Sequence, residues 1–205
     1  MDYHDIINYA EKYAVPIMRT ETSKLIANFV RENNPQNILE IGTAIGYSGI
    51  IMLENSNAKL ITIEHNKEYI KQAKKNFKLH KLSKRVKIIK GDCLVILSKM
   101  VAEKTNLEKF DLIFLDGPKA QYDKMLDLIL LLLKQNGTLI VDDVLFHKHL
   151  SDNGKISKRF KTIEIRMNNF IEKCKNCQKF SEFDIKTIDD GIIFAKKRIK
   201  WKTEK

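Results

Sequence analysis

Three aspartates stand directly after two apolar segments of the sequence. Asp116 follows Phe110–Leu115, and Asp142 and Asp143 follow Thr138–Val141. If both segments are parallel strands of one sheet, their carboxyl ends meet at the same edge and the three carboxylates lie together there. Clustered carboxylates repel one another unless a cation lies between them, and Mg²⁺ and Ca²⁺ prefer oxygen ligands. The pattern predicts a divalent-cation site, although a single aspartate here also fits an ordinary turn or helix cap.

A glycine-containing turn follows another apolar segment, Asn37–Ile41, and places Gly42 and Gly46 before a helix. Such glycines let the backbone approach a ligand closely, and the helix N-terminus offers free N–H groups. The spacing is neither the dinucleotide fingerprint nor a phosphate-binding loop, and alone it also fits a plain tight turn. Glu64 follows the segment Lys59–Ile63, about twenty residues further on, where an acidic side chain can bind a ribose. Together these features predict an adenosine-type cofactor.

Five apolar segments alternate with segments of helical length. The predicted strands are Asn37–Ile41, Lys59–Ile63, Val86–Ile89, Phe110–Leu115 and Thr138–Val141. Several are apolar without alternation, which is typical of parallel strands covered on both faces. The predicted helices between them are Tyr47–Glu54, Lys67–Leu79, Cys93–Glu103 and Ala120–Lys134. This order predicts a doubly wound α/β sheet.

The ends of the chain add further elements. Thr20 is predicted to cap a helix in the N-terminal part, and Asn136-Gly137 to end the long helix before the fifth strand. After a helix predicted around Ser157–Lys173 come two last strands, joined by a short acidic turn that is a strong hairpin signal. These strands and their turn are Phe180–Thr187, Asp189-Asp190-Gly191 and Ile192–Lys196.

The composition excludes several classes of protein. Hydrophobic residues make up 43% and charged residues 31% of the 205 residues, which fits neither a disordered tail nor a membrane protein. The N-terminus lacks the pattern of a signal peptide, and three cysteines are too few for a disulfide scaffold. We expect one cytoplasmic domain over residues 1–205, without a membrane partner. Its parts are an N-terminal helical segment (1–35), a cofactor and metal core (36–143), and a C-terminal helix and hairpin with a basic tail (144–205).

The net charge of +11 is concentrated in two parts of the sequence. Residues 65–90 contain nine lysines and Arg85 against Glu68 alone, and residues 145–205 form a second basic block. Segregated positive charge is expected of a protein that binds a polyanion, with nucleic acid as the obvious candidate. A lysine-rich composition on solvated helix faces gives the same pattern, and composition alone leaves both interpretations open.

These motifs together resemble those of the cation-dependent class I O-methyltransferases, the group that contains catechol and caffeoyl-coenzyme A O-methyltransferases. The resemblance covers roughly Pro16 to Lys197. It implies a Rossmann-like class I methyltransferase fold with a mostly parallel seven-stranded sheet, a C-terminal antiparallel hairpin and helices on both faces. It also implies S-adenosylmethionine and a divalent cation, expected to be Mg²⁺, as cofactors, and a homodimer as the assembly.

The resemblance assigns roles to individual positions. It implies that the cofactor is bound by Glu40, Gly42, Ser48, Glu64, Asp92 and Asp116. It implies Asp116, Asp142 and Asp143 as metal ligands, and Lys119, three residues after Asp116, as the catalytic residue. The family usually has Asp-Asn at 142–143, so the second aspartate either tightens metal binding or turns away from the metal.

Within this family the chain is most similar to the bacterial tRNA 5-hydroxyuridine methyltransferases. The similarity is carried by Pro16-Ile17-Met18, by Asp143-Val144-Leu145-Phe146 and by the compact C-terminus. It implies methylation of 5-hydroxyuridine at the wobble position, with the tRNA anticodon loop as partner. A 5-hydroxyuridine presents two adjacent oxygens, as a catechol does, and RNA phosphates would explain the basic blocks. The alternatives are a small catechol-like or phenolic substrate and a non-catalytic RNA-binding protein.

Two further motifs are weaker. Cys174-x-x-Cys177 is half of a zinc or redox motif, but no second ligand pair follows it. His147 and His149 follow the aspartate pair, where a loop facing the substrate is more plausible than a second metal site because hard cations favour oxygen ligands. We therefore expect no separate metal site at either motif.

Overall fold

A seven-stranded sheet forms the centre of the molecule in the computed structural model, which describes residues 3–103, 110–145 and 158–199. The strands are β1 Asn37–Ile41, β2 Lys59–Glu64, β3 Val86–Lys90, β4 Phe110–Leu115, β5 Leu133–Val141, β6 Phe180–Lys186 and β7 Ile192–Lys197. Their order is β3-β2-β1-β4-β5-β7-β6. Strands β1 to β5 pair in parallel, and β7 is antiparallel to β5 and β6. The predicted Rossmann-like sheet with its C-terminal antiparallel hairpin is confirmed.

Seven helices surround this sheet in the described residues. They are α1 His4–Lys12, α2 Thr20–Asn33, α3 Tyr47–Glu54, α4 Lys67–Leu79, α5 Cys93–Ala102, α6 Tyr122–Leu132 and α7 Lys158–Lys175. Short 3-10 turns lie at Ser83–Arg85 and Lys119–Gln121. None of the helices described here is long and apolar enough to cross a membrane.

Successive residues of the central strands point to opposite faces of the sheet, which separates two hydrophobic layers. On β1, Leu39 and Ile41 pack in the layer of α5, α6 and α7, and Ile38 packs in the layer of α1 to α4. All three side chains are fully buried. Helices therefore cover both faces, as expected for a parallel sheet. The ends of the strands and the outermost strands are left to bind ligands.

The N-terminus of α2 differs from the prediction. Thr20 is the first helical residue and Arg19 occupies the capping position without a capping side chain. The carboxylate of Asp189 takes this role from the β6–β7 turn, because its Oδ2 accepts hydrogen bonds of 2.9 Å from the backbone N–H and the hydroxyl of Thr22. This contact between residues far apart in the chain satisfies one of the free N–H groups of the first helical turn, that of Thr22.

The end of the long helix was also predicted wrongly. Helix α6 ends at Leu132 and β5 begins at the next residue, so Asn136 and Gly137 lie inside the strand. The ion pair between Lys134 Nζ and Asp111 Oδ1, at 2.8 Å, holds this segment against β4. A side chain at Gly137 would meet the Asp111 carbonyl at 3.0 Å. Close approach of two strands, and not helix termination, accounts for this glycine.

The predicted hairpin is confirmed, and its turn packs against the end of β5. The Gly191 N–H donates to the Ile188 carbonyl at 2.8 Å. The carbonyls of Asp190 and Gly191 accept hydrogen bonds from the N–H groups of Leu145 and Val144. These bonds bring the acidic turn next to Asp142 and Asp143, which precede Val144 directly.

Candidate active site

A cavity of about 560 Å³ lies at the carboxyl ends of β1, β2 and β4. A second cavity, of about 240 Å³, adjoins it at the end of β5 and shares Pro16, Asp116 and Asp143 with the first. Six of the residues predicted for the site line the larger cavity: Gly42, Glu64, Asp92, Asp116, Lys119 and Asp143. Asp142 lines the smaller one. The topology thus gathers most of the predicted residues at one edge of the sheet.

Gly42 lets β1 and β4 end side by side. Its φ is +104°, and a Cβ at this position would lie 2.0 Å from the carbonyl oxygen of Asp116. No larger residue fits without moving the backbone of the Asp116 turn. The N–H of Gly42 donates to the Ile63 carbonyl at 3.1 Å, which fixes the turn against the end of β2.

Glu64 is buried at the end of β2 and its carboxylate is held by backbone N–H groups. Its Oε2 accepts from Ala44 at 3.0 Å, and its Oε1 accepts from His65 at 2.8 Å and Asn66 at 2.9 Å. With three of its roughly four acceptor positions occupied, the carboxylate can accept one further hydrogen bond, at Oε2. The side chain is fixed before any ligand arrives, and it lines the cavity where a cofactor ribose was predicted.

Glu40 and Ser48 lie beside this cavity without lining it. The Glu40 carboxylate has no exposed surface and accepts hydrogen bonds of 2.6 Å from the hydroxyls of Ser48 and Thr62. Burial raises the pKa of Glu40 to about 7, although both hydrogen bonds act in the opposite direction. In this structure Glu40 joins β1, β2 and the first turn of α3 from beneath the Gly42 turn. Contact of either residue with a cofactor stays a prediction.

Asp92 lies at the far end of the larger cavity and caps α5. Its Oδ1 accepts from the N–H of Val95 at 3.0 Å. The neighbouring Cys93 is buried, and burial raises the pKa of its thiol. Cys93 therefore packs as a small apolar side chain, while Asp92 presents a carboxylate at the predicted adenine side.

Lys119 reaches the cavity from the short 3-10 turn that follows β4. Its side chain is 17% exposed, and its Nζ forms an ion pair with Asp143 Oδ2. Asp143 has a φ of +54°, a left-handed conformation that aspartate tolerates better than most residues. The sequence left open whether Asp143 would tighten metal binding or turn away from the metal. In the structure the Asp143 side chain is turned to Lys119.

Asp142 and Asp116 are close enough for their charges to interact. Asp142 is 8% exposed, and burial, followed by the charge of Asp116, raises the pKa of Asp142 to about 7. Burial also raises the pKa of Asp116, while the nearby Lys119 lowers it. Two poorly solvated carboxylates side by side favour a proton or a cation between them.

The donor set at this corner suits a hard divalent cation in its chemistry, because all of the side chains are carboxylates. Within the described ranges, however, no three acidic, histidine or cysteine side chains are arranged to hold a metal ion. Asp143 is paired with Lys119, and Asp142 Oδ1 accepts from the N–H of Asp143 at 2.8 Å. The three predicted ligands are neighbours, and metal ligation by them stays a prediction.

The smaller cavity contains residues that the sequence did not indicate as site residues. Asp189 and Asp190 line it from the hairpin turn, and Arg19 lines it from the start of α2. Arg19 and Asp190 form an ion pair at 2.6 Å. The only signal in the sequence was two adjacent aspartates in a turn, where the residue type is common for local reasons. Their place in the site depends on tertiary structure.

The family model described as O-methyltransferase matches residues 5–198. The chain belongs to the O-methyltransferase family. Among curated relatives of this chain, catechol O-methyltransferase from Niastella koreensis is 38% identical over 110 residues, which are 53% of this chain and 48% of that protein. An O-methyltransferase from Aspergillus hancockii is 32% identical over 123 residues, 58% of this chain and 46% of that protein. The chain thus matches about half the length of these relatives.

Solved structures agree with the fold of this chain over nearly its whole length. A Staphylococcus aureus protein, provisionally described as a caffeoyl-CoA O-methyltransferase, has a TM-score of 0.84 and 32% identity. The match covers 96% of this chain and 92% of that one. An O-methyltransferase from Bacillus cereus, solved in complex with SAH, has a TM-score of 0.78 at 24% identity, with coverage of 95% and 89%. The second likeness supports the fold alone.

Of the remaining motifs, only the cysteine pair falls within the described residues, and it does not line either cavity. Cys174 is buried at the end of α7, and burial raises the pKa of its thiol to about 12. Cys177 follows the helix and its N–H donates to the Cys174 carbonyl at 3.1 Å. His147 and His149 lie outside the described residues, as do Phe146 and the tail from residue 200.

Proposed function

We propose that this protein is an S-adenosylmethionine-dependent O-methyltransferase. One observation carries the proposal: Glu64, fixed for a ribose, and Lys119, fixed beside three carboxylates, line the same cavity. A cofactor held at Glu64 and an acceptor hydroxyl held at Lys119 would therefore lie side by side. Membership of the O-methyltransferase family supports this choice of cofactor.

The cofactor supplies an electrophilic methyl group on a sulfonium. The residues of the chain hold the cofactor and the acceptor hydroxyl in position for the transfer. Glu64 would accept a hydrogen bond from a ribose hydroxyl at Oε2, and Asp92 would lie at the adenine. Because Gly42 has no side chain, the turn after β1 can lie against the Asp116 backbone, which would leave the carboxyl end of β1 accessible to the cofactor. Holding two reactants in line contributes up to about 7–11 kcal/mol in favourable systems.

Lys119 is the residue that we assign to the acceptor. Its ammonium group would lie near the acceptor hydroxyl and stabilise the oxyanion that is left when this hydroxyl gives its proton to solvent water; that oxyanion would then take the methyl group. Asp143 holds the ammonium group in place through the ion pair. A fixed positive charge in a partly enclosed cavity stabilises a developing oxyanion more than a mobile positive charge in water does.

Asp116, Asp142 and Asp143 would hold a divalent cation, expected to be Mg²⁺. Such an ion, when bound, supplies Lewis acidity to the acceptor oxygens. The carboxylates of Asp116 and Asp142 already lie in poorly solvated positions. Binding a cation would remove their mutual repulsion, and it requires that Asp143 exchange at least part of its contact with Lys119.

The substrate that we propose is 5-hydroxyuridine at the wobble position of tRNA, with 5-methoxyuridine as product. Its two adjacent oxygens suit a site that combines carboxylates and a lysine. The basic residues of the chain suit the phosphates of the anticodon loop. A small catechol-like acceptor is the second candidate, because the Niastella koreensis relative is named a catechol O-methyltransferase.

A methyl-transfer assay with two acceptors separates these substrates. We would offer labelled S-adenosylmethionine and Mg²⁺ with tRNA carrying 5-hydroxyuridine or with a catechol, each with and without EDTA. We expect EDTA-sensitive formation of 5-methoxyuridine, read by nucleoside mass spectrometry, with catechol a poor acceptor. Methylation of catechol but not of tRNA would overturn the substrate and keep the reaction. The expected homodimer is checked on the same sample by light scattering.

A further inference from the structure

One edge of the molecule is covered by lysines. Nine exposed lysines lie on helix α4, on the edge strand β3 and on the segment that joins them. We call them the basic track: Lys67, Lys71, Lys74, Lys75, Lys78, Lys81, Lys84, Lys87 and Lys90. Strand β3 is the last strand on this side of the sheet that the described residues form, so no further strand of that sheet covers the track. The length of α4 alone is about 20 Å.

The described residues do not neutralise the basic track. Within the parts of the chain that the structure describes, none of its nine ammonium groups forms an ion pair with an acidic residue. Glu68 is the only acidic residue between positions 65 and 90. At the opposite end of the sheet, by contrast, Lys173, Lys186 and Lys196 are each paired with a carboxylate.

The arrangement of these lysines does not stabilise the fold. Lys67 and Lys71 lie in the first turns of α4, where positive charge opposes the helix dipole. Lys71 and Lys75 are one helical turn apart, as are Lys74 and Lys78, and like charges at this spacing repel. Lysines on an edge strand do protect against aggregation, but this explains only the residues on β3.

The track runs up to the larger cavity at both of its ends. Lys67 stands between His65 and Tyr69, which line the cavity from the start of α4. Lys90 directly precedes Gly91, which lines the same cavity from the end of β3. A chain of negative charges lying along the track would therefore enter the cavity without crossing the acidic turn at the other side.

We propose that the basic track binds the phosphate backbone of the RNA whose base is methylated, on either side of the nucleotide that enters the cavity. This inference rests on the proposed function and adds the surface that recognises the substrate. Exposed and unpaired ammonium groups release counterions from RNA on binding, which favours association in a salt-dependent way. A small phenol would use no part of this surface.

Two variants of equal charge change test the inference. The track variant combines Lys71→Gln, Lys74→Gln, Lys78→Gln and Lys87→Gln. The control variant removes four exposed cations from α7 and the turn after it, with Lys161→Gln, Arg166→Gln, Lys175→Gln and Lys179→Gln. Binding of a fluorescein-labelled anticodon stem-loop RNA is measured by anisotropy at several salt concentrations, and thermal stability is measured in parallel.

We expect the track variant to bind this RNA at least about tenfold more weakly at 0.1 M salt, and the slope of log K against log salt to fall by roughly 2 to 3. The control variant should stay within about twofold of the wild type. The track variant should melt at or above the wild-type temperature, since repulsion has been removed. Equal losses in both variants, no loss in the track variant, or no binding by the wild type would overturn the inference.

Methylation of free 5-hydroxyuridine and of a catechol is measured on the same proteins. Both variants should methylate these small acceptors at the wild-type rate, because the track contacts only phosphates. If the wild type methylates neither tRNA nor a small acceptor, the proposed function fails, while the anisotropy experiment still decides whether the track binds RNA.

Discussion

Lys119 is the residue on which the proposed chemistry depends most. Lys119→Ala should lower kcat by about 10²- to 10³-fold, the usual cost of removing one group that stabilises a developing oxyanion. The affinity for S-adenosylhomocysteine should stay within twofold of the wild type, since the lysine lies at the acceptor end of the cavity. Lys124→Ala, on the exposed side of α6, is the matched control. Wild-type turnover in Lys119→Ala would remove the lysine from the mechanism.

Gly42 is the residue whose size the site depends on. Gly42→Ala places a methyl group against the Asp116 carbonyl in a backbone conformation that alanine rarely adopts. We expect unfolding to become easier by about 1–3 kcal/mol, the usual cost of such strain. S-adenosylhomocysteine should also bind less tightly. Gly117→Ala meets only the Ile41 side chain and carbonyl, at 3.2 and 3.4 Å, and should be milder in melting and calorimetry.

Glu40 makes stability depend on pH. Its pKa is raised from 4.5 to about 7 in the folded protein, so between these pH values the folded state keeps a proton that the unfolded state has lost. The free energy of unfolding contributed by Glu40 therefore falls as pH rises from about 4.5 to about 7, by at most about 1.4 kcal/mol per pH unit. Above about pH 7 this contribution no longer changes.

Chemical unfolding of Glu40→Gln between pH 4.5 and 8 measures this contribution. The variant should lose stability less steeply than the wild type over that range, because the amide does not titrate. Glu68→Gln, on the exposed side of α4, should leave the slope unchanged. Parallel profiles for the wild type and Glu40→Gln would show that Glu40 ionises normally.

At the scale of elements, the β6–β7 turn supports the start of α2. Asp189→Ala removes the acceptor for both hydrogen bonds from Thr22. We expect the free energy of unfolding to fall by about 1–2 kcal/mol, as for other helix caps. The acceptor KM should rise, because the turn lines the smaller cavity. Asp189→Asn keeps an acceptor oxygen and should lose less, and Asp184→Ala on the exposed part of β6 is the control.

Denaturant unfolding and steady-state kinetics check this prediction together. The affinity for S-adenosylhomocysteine should not change in Asp189→Ala, since the turn lies away from Glu64. A loss of cofactor affinity as large as the change in KM would contradict the assignment of the turn to the acceptor side.

The elements that follow a simple periodicity were predictable from the sequence. The bounds of α3, α4, β1 and β4 agree with the prediction, because each has a polar or glycine boundary at both ends. The start of α2 and the junction of α6 with β5 were not predictable. They depend on Asp189 and on the ion pair between Lys134 and Asp111, which join residues far apart in the sequence.

The same distinction applies to the site. The rule that ligands bind at the carboxyl ends of parallel strands was sufficient to place Glu64, Asp116 and Lys119 in one cavity. It was not sufficient to show that Asp143 turns to Lys119, or that Arg19 and Asp190 pair nearby. Those orientations depend on single backbone angles and on the hairpin turn.

At the scale of the whole molecule, charge is divided between two regions. Carboxylates from β4, β5 and the hairpin turn gather at the two cavities, and exposed lysines cover the α4–β3 edge. A net charge of +11 thus coexists with an acidic reaction site. The division suits a substrate whose reacting group approaches a cation site while the rest of it is polyanionic.

Calorimetric titration with S-adenosylhomocysteine tests the central claim most directly, because it requires no knowledge of the acceptor. We expect one site per chain and wild-type affinity in Glu68→Gln. Glu64→Gln should bind S-adenosylhomocysteine about tenfold to a hundredfold more weakly, as expected when a charged hydrogen-bond partner is removed. Absence of binding by the folded wild-type protein, or full affinity in Glu64→Gln, would contradict the central claim.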